Sequence, residues 1–150
     1  MDHSIKAAEL FLSGSNCSQA ILVAFCDVTG LEEGFAAKLS SSFGGGMGRM
    51  REVCGAVSGM LMVAGLLYGY DDPGEKDCNK KAHYALVQEL SGKFREEVGS
   101  IVCREILKNP PSDPNPSPRT AEYYAKRPCV RMVITAARIL DDYIAAHPVP

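Results

Sequence analysis

Val53-Cys54-Gly55-Ala56-Val57-Ser58-Gly59-Met60-Leu61-Met62-Val63-Ala64-Gly65-Leu66-Leu67-Tyr68-Gly69-Tyr70 carries no charged side chain over eighteen residues. A membrane span needs about 20 predominantly apolar residues, and this stretch is short and punctuated by four glycines and a serine. It reads instead as a central helix, near 53–69, buried on all sides of a helical core. Gly55-x-x-x-Gly59 then lets a neighbouring helix approach its backbone closely, since neither position carries a Cβ.

Working outward, almost every segment between glycine breaks has helical period. Ile5 to Leu12 forms a short helix closed by Gly14. Cys17, Ala20, Ile21, Ala24, Phe25 and Val28 recur at three and four residues, an amphipathic stripe ending at Gly30. Leu31 to Phe43 is a third helix, with Glu32 and Glu33 suited to its positive start and Leu39 and Phe43 buried. Glu75 to Val98 is a long charged helix with Ala82, Ala85, Leu86, Glu89, Leu90 and Phe94 on its inner side. Asn109 to Pro118 holds five prolines and predicts an extended surface loop. The last helix runs from about Pro128 to Ala146, with Cys129, Met132, Val133, Ala136, Ala137, Leu140 and Ile144 inward and Arg131, Arg138, Asp141 and Asp142 outside. No alternating β-run and no internal repeat interrupt this pattern. The chain reads as all-α, one domain over residues 1–150, a bundle of about five to seven helices.

At 150 residues, 46% apolar and 23% charged, the composition is that of an ordinary globular domain able to bury a core. A formal net charge of -2, with no basic cluster, gives no footprint for nucleic acid. Met1-Asp2-His3-Ser4-Ile5-Lys6 lacks a signal-peptide pattern, and cytoplasmic location is the expectation. In that compartment six cysteines point to metal binding or thiol catalysis more than to structural disulfides.

Four of the six sit at predicted helix starts. Asn16-Cys17-Ser18-Gln19 is a cap, first turn and capping-box glutamine. Cys54 opens the uncharged run, Cys103 follows Ser100 by three residues, and Pro128 at the first helical position precedes Cys129. A helix N-terminus carries about +0.5 charge, which favours the thiolate, the form that attacks disulfides and ligates metals. On this reading, and with Arg49 and Arg51 beside it, Cys54 titrates below about 8.5. Cys26 serves packing, and Cys78, among charged residues, is exposed. Gly44-Gly45-Gly46-Met47-Gly48 before a helix suits a phosphate cradle of backbone N–H groups only weakly, since it lacks the P-loop ending and follows no strand, and otherwise reads as a tight turn bringing backbone up to the Cys54 site. Gly45, Gly46 and Gly55 are the expected cofactor-approach positions. His3 and His147 are terminal and solvated, His83 lies on the charged helix facing solvent, and no hydrolase constellation stands out.

The series Asn16-Cys17-Ser18-Gln19, Phe43-Gly44-Gly45-Gly46-Met47-Gly48, Cys54-Gly55-Ala56-Val57-Ser58-Gly59, Cys103-Arg104 and Cys129 resembles the redox-active family labelled C_GCAxxG_C_C. The resemblance runs in order over nearly the whole chain. It implies that Cys17, Cys54, Cys103 and Cys129 are the functional cysteines, as the helix starts do independently, and that Cys26 and Cys78 are not. Related sequence occurs in split-Soret-type cytochromes with iron–sulfur centres, but the Cys-x-x-Cys-His element of c-type haem attachment is missing here.

Three functions follow as expectations. Four thiolates at Cys17, Cys54, Cys103 and Cys129 suit an iron–sulfur cluster used for electron transfer, or zinc, though their spacings of 37, 49 and 26 residues require the fold to gather distant helix ends. Pairs among the same four suit cofactor-free dithiol–disulfide cycling, with Cys54 foremost. A helical partner-binding module with merely structural cysteines is the third. A redox partner protein is expected for the first two, with no nucleic acid and no membrane.

Overall fold

The computed structural model describes residues 2–72, 74 and 79–149. Its elements, in chain order, are α1 His3–Leu12, α2 Cys17–Ala24, α3 Cys26–Thr29, α4 Glu33–Ser40, a 3-10 turn Ser41–Phe43, α5 Gly44–Met47, α6 Gly55–Tyr68, α7 Lys80–Val98, α8 Cys103–Ile106, α9 Ala121–Lys126 and α10 Cys129–Ala146. Among the described residues there is no strand, only an isolated antiparallel bridge between Val53 and Val102. The chain is a single all-α domain. Among the described residues six helices reach eight residues or more, α1, α2, α4, α6, α7 and α10, and the others are one or two turns.

Local chemistry explains the boundaries. Asp2 caps α1 by accepting from the Ser4 N–H. Asn16 and Gln19 close a full capping box on α2. Glu32 caps α4 by accepting from the Gly34 and Phe35 N–H groups. The stripe from Cys17 to Val28 is not one helix, because Phe25, at φ -98° and ψ 13°, breaks it between α2 and α3, and Gly30 ends α3 in the left-handed region. Helix α7 is described from Lys80. The proposed start near Glu75, and Cys78, lie outside the described residues.

The core forms where α2 crosses α6 and α1 lies along α10. The Gly55-x-x-x-Gly59 expectation holds in detail. A Cβ built on Gly55 would stand 3.0 Å from Cys17 Cβ, and one on Gly59 would stand 2.8 Å from Ile21 Cβ. Those two glycines seat α2 on α6. Helix α6 is nevertheless not enclosed all round: Val57, Met60 and Val63 are fully buried, but Leu61 and Met62 are half-buried and Leu66 is exposed. Among the described residues no helix is long and apolar enough to cross a membrane.

Several faces turn otherwise than periodicity suggested. In α4 the inward residues are Ala36 and Ser40, while Phe35 and Leu39 are exposed. Their small size lets α4 sit close on α2, where Ser18 Oγ donates to the Ser40 carbonyl at 2.6 Å and Gln19 Nε2 donates to that of Ala37 at 3.0 Å. In α7 Leu86, Leu90 and Phe94 are buried with Ser91, but Ala82, Ala85 and Glu89 face solvent. His3 is buried rather than solvated. It stacks on Phe25 at 4.1 Å and places its ring nitrogens against Asp27 and Asp141, which draws Asp141 off the outer face of α10. His83 is half-buried, with its ring edge-on to Tyr70.

Candidate functional site

Four helix beginnings deliver the four thiols. Cys17, Cys103 and Cys129 are the first residues of α2, α8 and α10, and Cys54 is the N-cap of α6. Pro128 is the N-cap of α10, one position earlier than expected. The pairing of residues 51–54 with 101–104 brings α6 and α8 together. Cys54 N–H donates to the Ile101 carbonyl at 2.7 Å, and Cys103 N–H donates to that of Glu52 at 2.6 Å. The glycine run folds onto the same hairpin-like joint, with the Arg51 and Glu52 N–H groups donating to the Gly45 and Gly46 carbonyls at 3.2 and 2.9 Å.

Glycine is required at position 46 for two reasons. Its φ is +69°, and a Cβ there would lie 2.7 Å from both Cys103 Cβ and the Glu52 nitrogen. The run therefore forms a wall of the cysteine site, as read from the sequence, with Gly45, Gly46 and Gly55 all lining it.

All four cysteines line one cavity of ≈ 60 Å³, together with Arg51, Arg119, Arg127, Tyr123 and Met132. Each thiol is buried and free of disulfide bonds. Cys26 is buried elsewhere and donates its S–H to the Leu22 carbonyl at 3.6 Å, a packing role.

The four thiols differ electrostatically. The mutual influence of the Cys17 and Cys129 side chains pushes Cys17 well up and lowers Cys129 to about 7, where Arg127, Arg119 and Arg51 add their attraction for the anion. Burial pushes Cys54 up to about 12, overriding the Ala56 and Val57 N–H groups at the start of α6. Burial also raises Cys103, against the Arg51 guanidinium, whose Nη1 donates to its Sγ at 3.7 Å. The expectation that Cys54 is the acidic thiol is thus corrected: the enclosed α6 start costs a thiolate more than the helix end returns. Arg49 does not serve Cys54 either, since it reaches the Asp113 carbonyl at 2.8 Å. Of the four, Cys129 is the thiol whose surroundings favour the anion.

Among the described residues no group of three or more His, Cys, Asp or Glu side chains is arranged to hold a metal ion.

The proline loop lies over this end of the molecule. Arg51 Nε donates to the Pro111 carbonyl at 2.9 Å, and Arg49 Nη1 donates to Ser117 Oγ at 3.2 Å. Arg119 and Arg127 had no sequence signal of their own, apart from Arg127 standing two residues before Cys129.

The family model described as "Putative redox-active protein (C_GCAxxG_C_C)" matches residues 15–143. The chain belongs to that redox-active family. No curated protein and no solved structure matches it significantly.

Proposed function

We propose that the protein is a cofactor-free dithiol–disulfide redox protein in which Cys129 attacks and Cys17 resolves. The observation that carries this reading is the placement of Cys17 and Cys129 in one cavity with Arg119 and Arg127, a setting that lowers Cys129 to about 7 while Cys17 is pushed up. A thiolate with a pKa near ambient pH is the most effective attacking thiol.

The step balances as thiol–disulfide exchange. Cys129 Sγ attacks one sulfur of an incoming disulfide, and the other sulfur leaves as a thiolate. Cys17, once Cys129 is neutral in the mixed disulfide, no longer faces a neighbouring negative charge and ionises more readily. Its Sγ attacks Cys129 Sγ, forms the Cys17–Cys129 bond and expels the second thiolate. Two electrons pass to the incoming disulfide; the Cys17 proton ends on one released sulfur, and the other leaves as a thiolate or takes its proton from water. A redox partner protein is the source of that disulfide, and the same steps reversed re-reduce the pair. Cys54 and Cys103, held neutral by burial, shape the cavity floor.

A second reading, iron–sulfur or zinc ligation by Cys17, Cys54, Cys103 and Cys129, is favoured by the four thiols lining one cavity. Anaerobic purification with iron, sulfide and zinc analysis, followed by thiol titration in defined glutathione buffers, separates the readings. Reversible loss of two thiols from metal-free protein supports the dithiol pair. Stoichiometric metal that blocks titration of all four overturns it, and unchanged thiols across the range favour purely structural cysteines.

A further inference from the structure

Beside the thiols lies a second cavity of ≈ 190 Å³ whose walls include Arg49, Arg51, Arg119 and Arg127 and, among the described residues, no acidic side chain. Asp113 reaches only Arg49, at 3.9 Å. Part of this positive charge has structural employment: Arg119 donates to the Phe11 and Ser15 carbonyls at 3.1 and 3.2 Å and lies over the Phe11 ring.

Arg49 is likewise engaged, by the Asp113 carbonyl and Ser117 Oγ, but Arg51 is only partly satisfied and Arg127 is not. Arg51 is 4% exposed, and its Nη2 is buried with no hydrogen-bond partner. Arg127 forms no ion pair among the described residues and only lies 5.4 Å from the Tyr123 ring centre. A buried guanidinium donor left unsatisfied is costly, and guanidinium groups gathered around one space repel each other unless an anion sits among them. The Cys129 thiolate supplies one negative charge, fewer than the cations present.

We propose that this cavity binds a small tetrahedral oxyanion, free or as the terminal group of a larger molecule, held by Arg51, Arg119 and Arg127 next to Cys129. Planar guanidinium forks match the oxygen edges of such an anion in pairs. Gly44 and Gly45 also line the cavity, and Gly45 places no side chain beside Arg49 and Arg51, where a Cβ would stand 2.9 Å from Arg49 Cγ and 3.7 Å from Arg51 Nη1. The site takes its anion whether or not the thiols turn over, so its failure leaves the dithiol reading standing.

The test is calorimetric titration of the full reduced chain with sodium sulfate, sodium phosphate and phenyl phosphate, with sodium chloride at matched ionic strength as control. One saturable site is expected for sulfate or phosphate, absent with chloride, and weakened about tenfold or more in Arg127→Gln, which removes a charged donor but no side-chain hydrogen bond among the described residues. Arg138→Gln, on the outer face of α10 and paired with Glu97, is expected to leave the affinity unchanged. Tighter binding of phenyl phosphate assigns the oxyanion to a larger molecule, and equal or weaker binding assigns it to the free ion. No saturable site for any of the three anions, or equal affinity in wild type and Arg127→Gln, overturns the proposal.

Discussion

Replacing Cys17 with alanine should raise the pKa of Cys129 while leaving the arginines around it in place. The Cys17 thiol is the largest influence holding Cys129 down to about 7, ahead of Arg127, Arg119 and Arg51. A hydrogen bond to a charged group contributes about 1.5–3 kcal/mol, and one pK unit corresponds to about 1.4 kcal/mol, so Cys129 should move up by about 1–2 units. At pH 7 its thiolate fraction then falls from about half to between about 1 and 10%, and alkylation slows by about 5- to 50-fold. The assay is iodoacetamide labelling between pH 5 and 10, with Cys129 followed by peptide mass mapping. Cys17→Ser, which keeps a donor, should recover part of the shift. A Cys129 midpoint in Cys17→Ala that stays at wild-type value, or drops, refutes the claim that Cys17 holds Cys129 down.

The buried thiols set an alkaline limit on stability. Cys17, Cys54 and Cys103 are raised in the folded chain above the ordinary value of 9.0, Cys54 to about 12, so the unfolded chain loses these protons first. Their stabilisation is complete below pH 9 and should decline by up to about 1.4 kcal/mol per pH unit per thiol above it, seen as falling denaturation midpoints between pH 9 and 11. Cys129 has the opposite sign: its contribution is full above the ordinary thiol value and is lost as pH falls through about 7. Gly46→Ala, at φ +69° and against Cys103 Cβ, should cost about 1–3 kcal/mol, whereas Gly65→Ala, with open space around it, should be neutral or stabilising by up to about 1 kcal/mol; equal melting temperatures for the two would contradict the wall assigned to the glycine run. His3→Ala should cost about 1–3 kcal/mol in urea unfolding by removing the buried ring that meets Asp27 and Asp141, the backbone N–H of residue 3 still donating to Asp141 at 2.8 Å, and a loss under about 0.5 kcal/mol would show the buried histidine to be incidental.

What could be read in advance was what sequence neighbours decide. Capping chemistry marks the Cys17 start of α2, and the spacing of Gly55 and Gly59 announces the crossing with α2. Proline density fixes the loop at 109–118, and four thiols at helix starts already suggest one shared end. Long-range pairing was not legible. Nothing local to Val53 or Val102 reveals that these residues bridge across 49 positions, yet that bridge brings Cys54 and Cys103 together. Nor does His3 announce Asp27 and Asp141, which reach it only after α1 lies along α10. The choice of acidic thiol failed for a related reason. The helix-end effect acts within a turn and is visible in sequence, whereas enclosure of Cys54 and the approach of Arg119 and Arg127 to Cys129 arise from packing. Periodicity also misses that α4 buries the small Ala36 and Ser40 in place of Leu39, and that α7 adds Ser91 to Leu86, Leu90 and Phe94 while Ala82, Ala85 and Glu89 stay exposed.

The central claim is that Cys17 and Cys129 form the redox pair, and mapping the disulfide tests it most directly. Reduced, metal-free protein is oxidised with stoichiometric oxidised glutathione, the remaining thiols are blocked at low pH, and the cross-linked peptides are identified by mass spectrometry. The account predicts a single dominant Cys17–Cys129 linkage, with Cys26, Cys54 and Cys103 alkylated as free thiols. A dominant bond involving Cys54 or Cys103, or full recovery of all thiols as reduced, would contradict it.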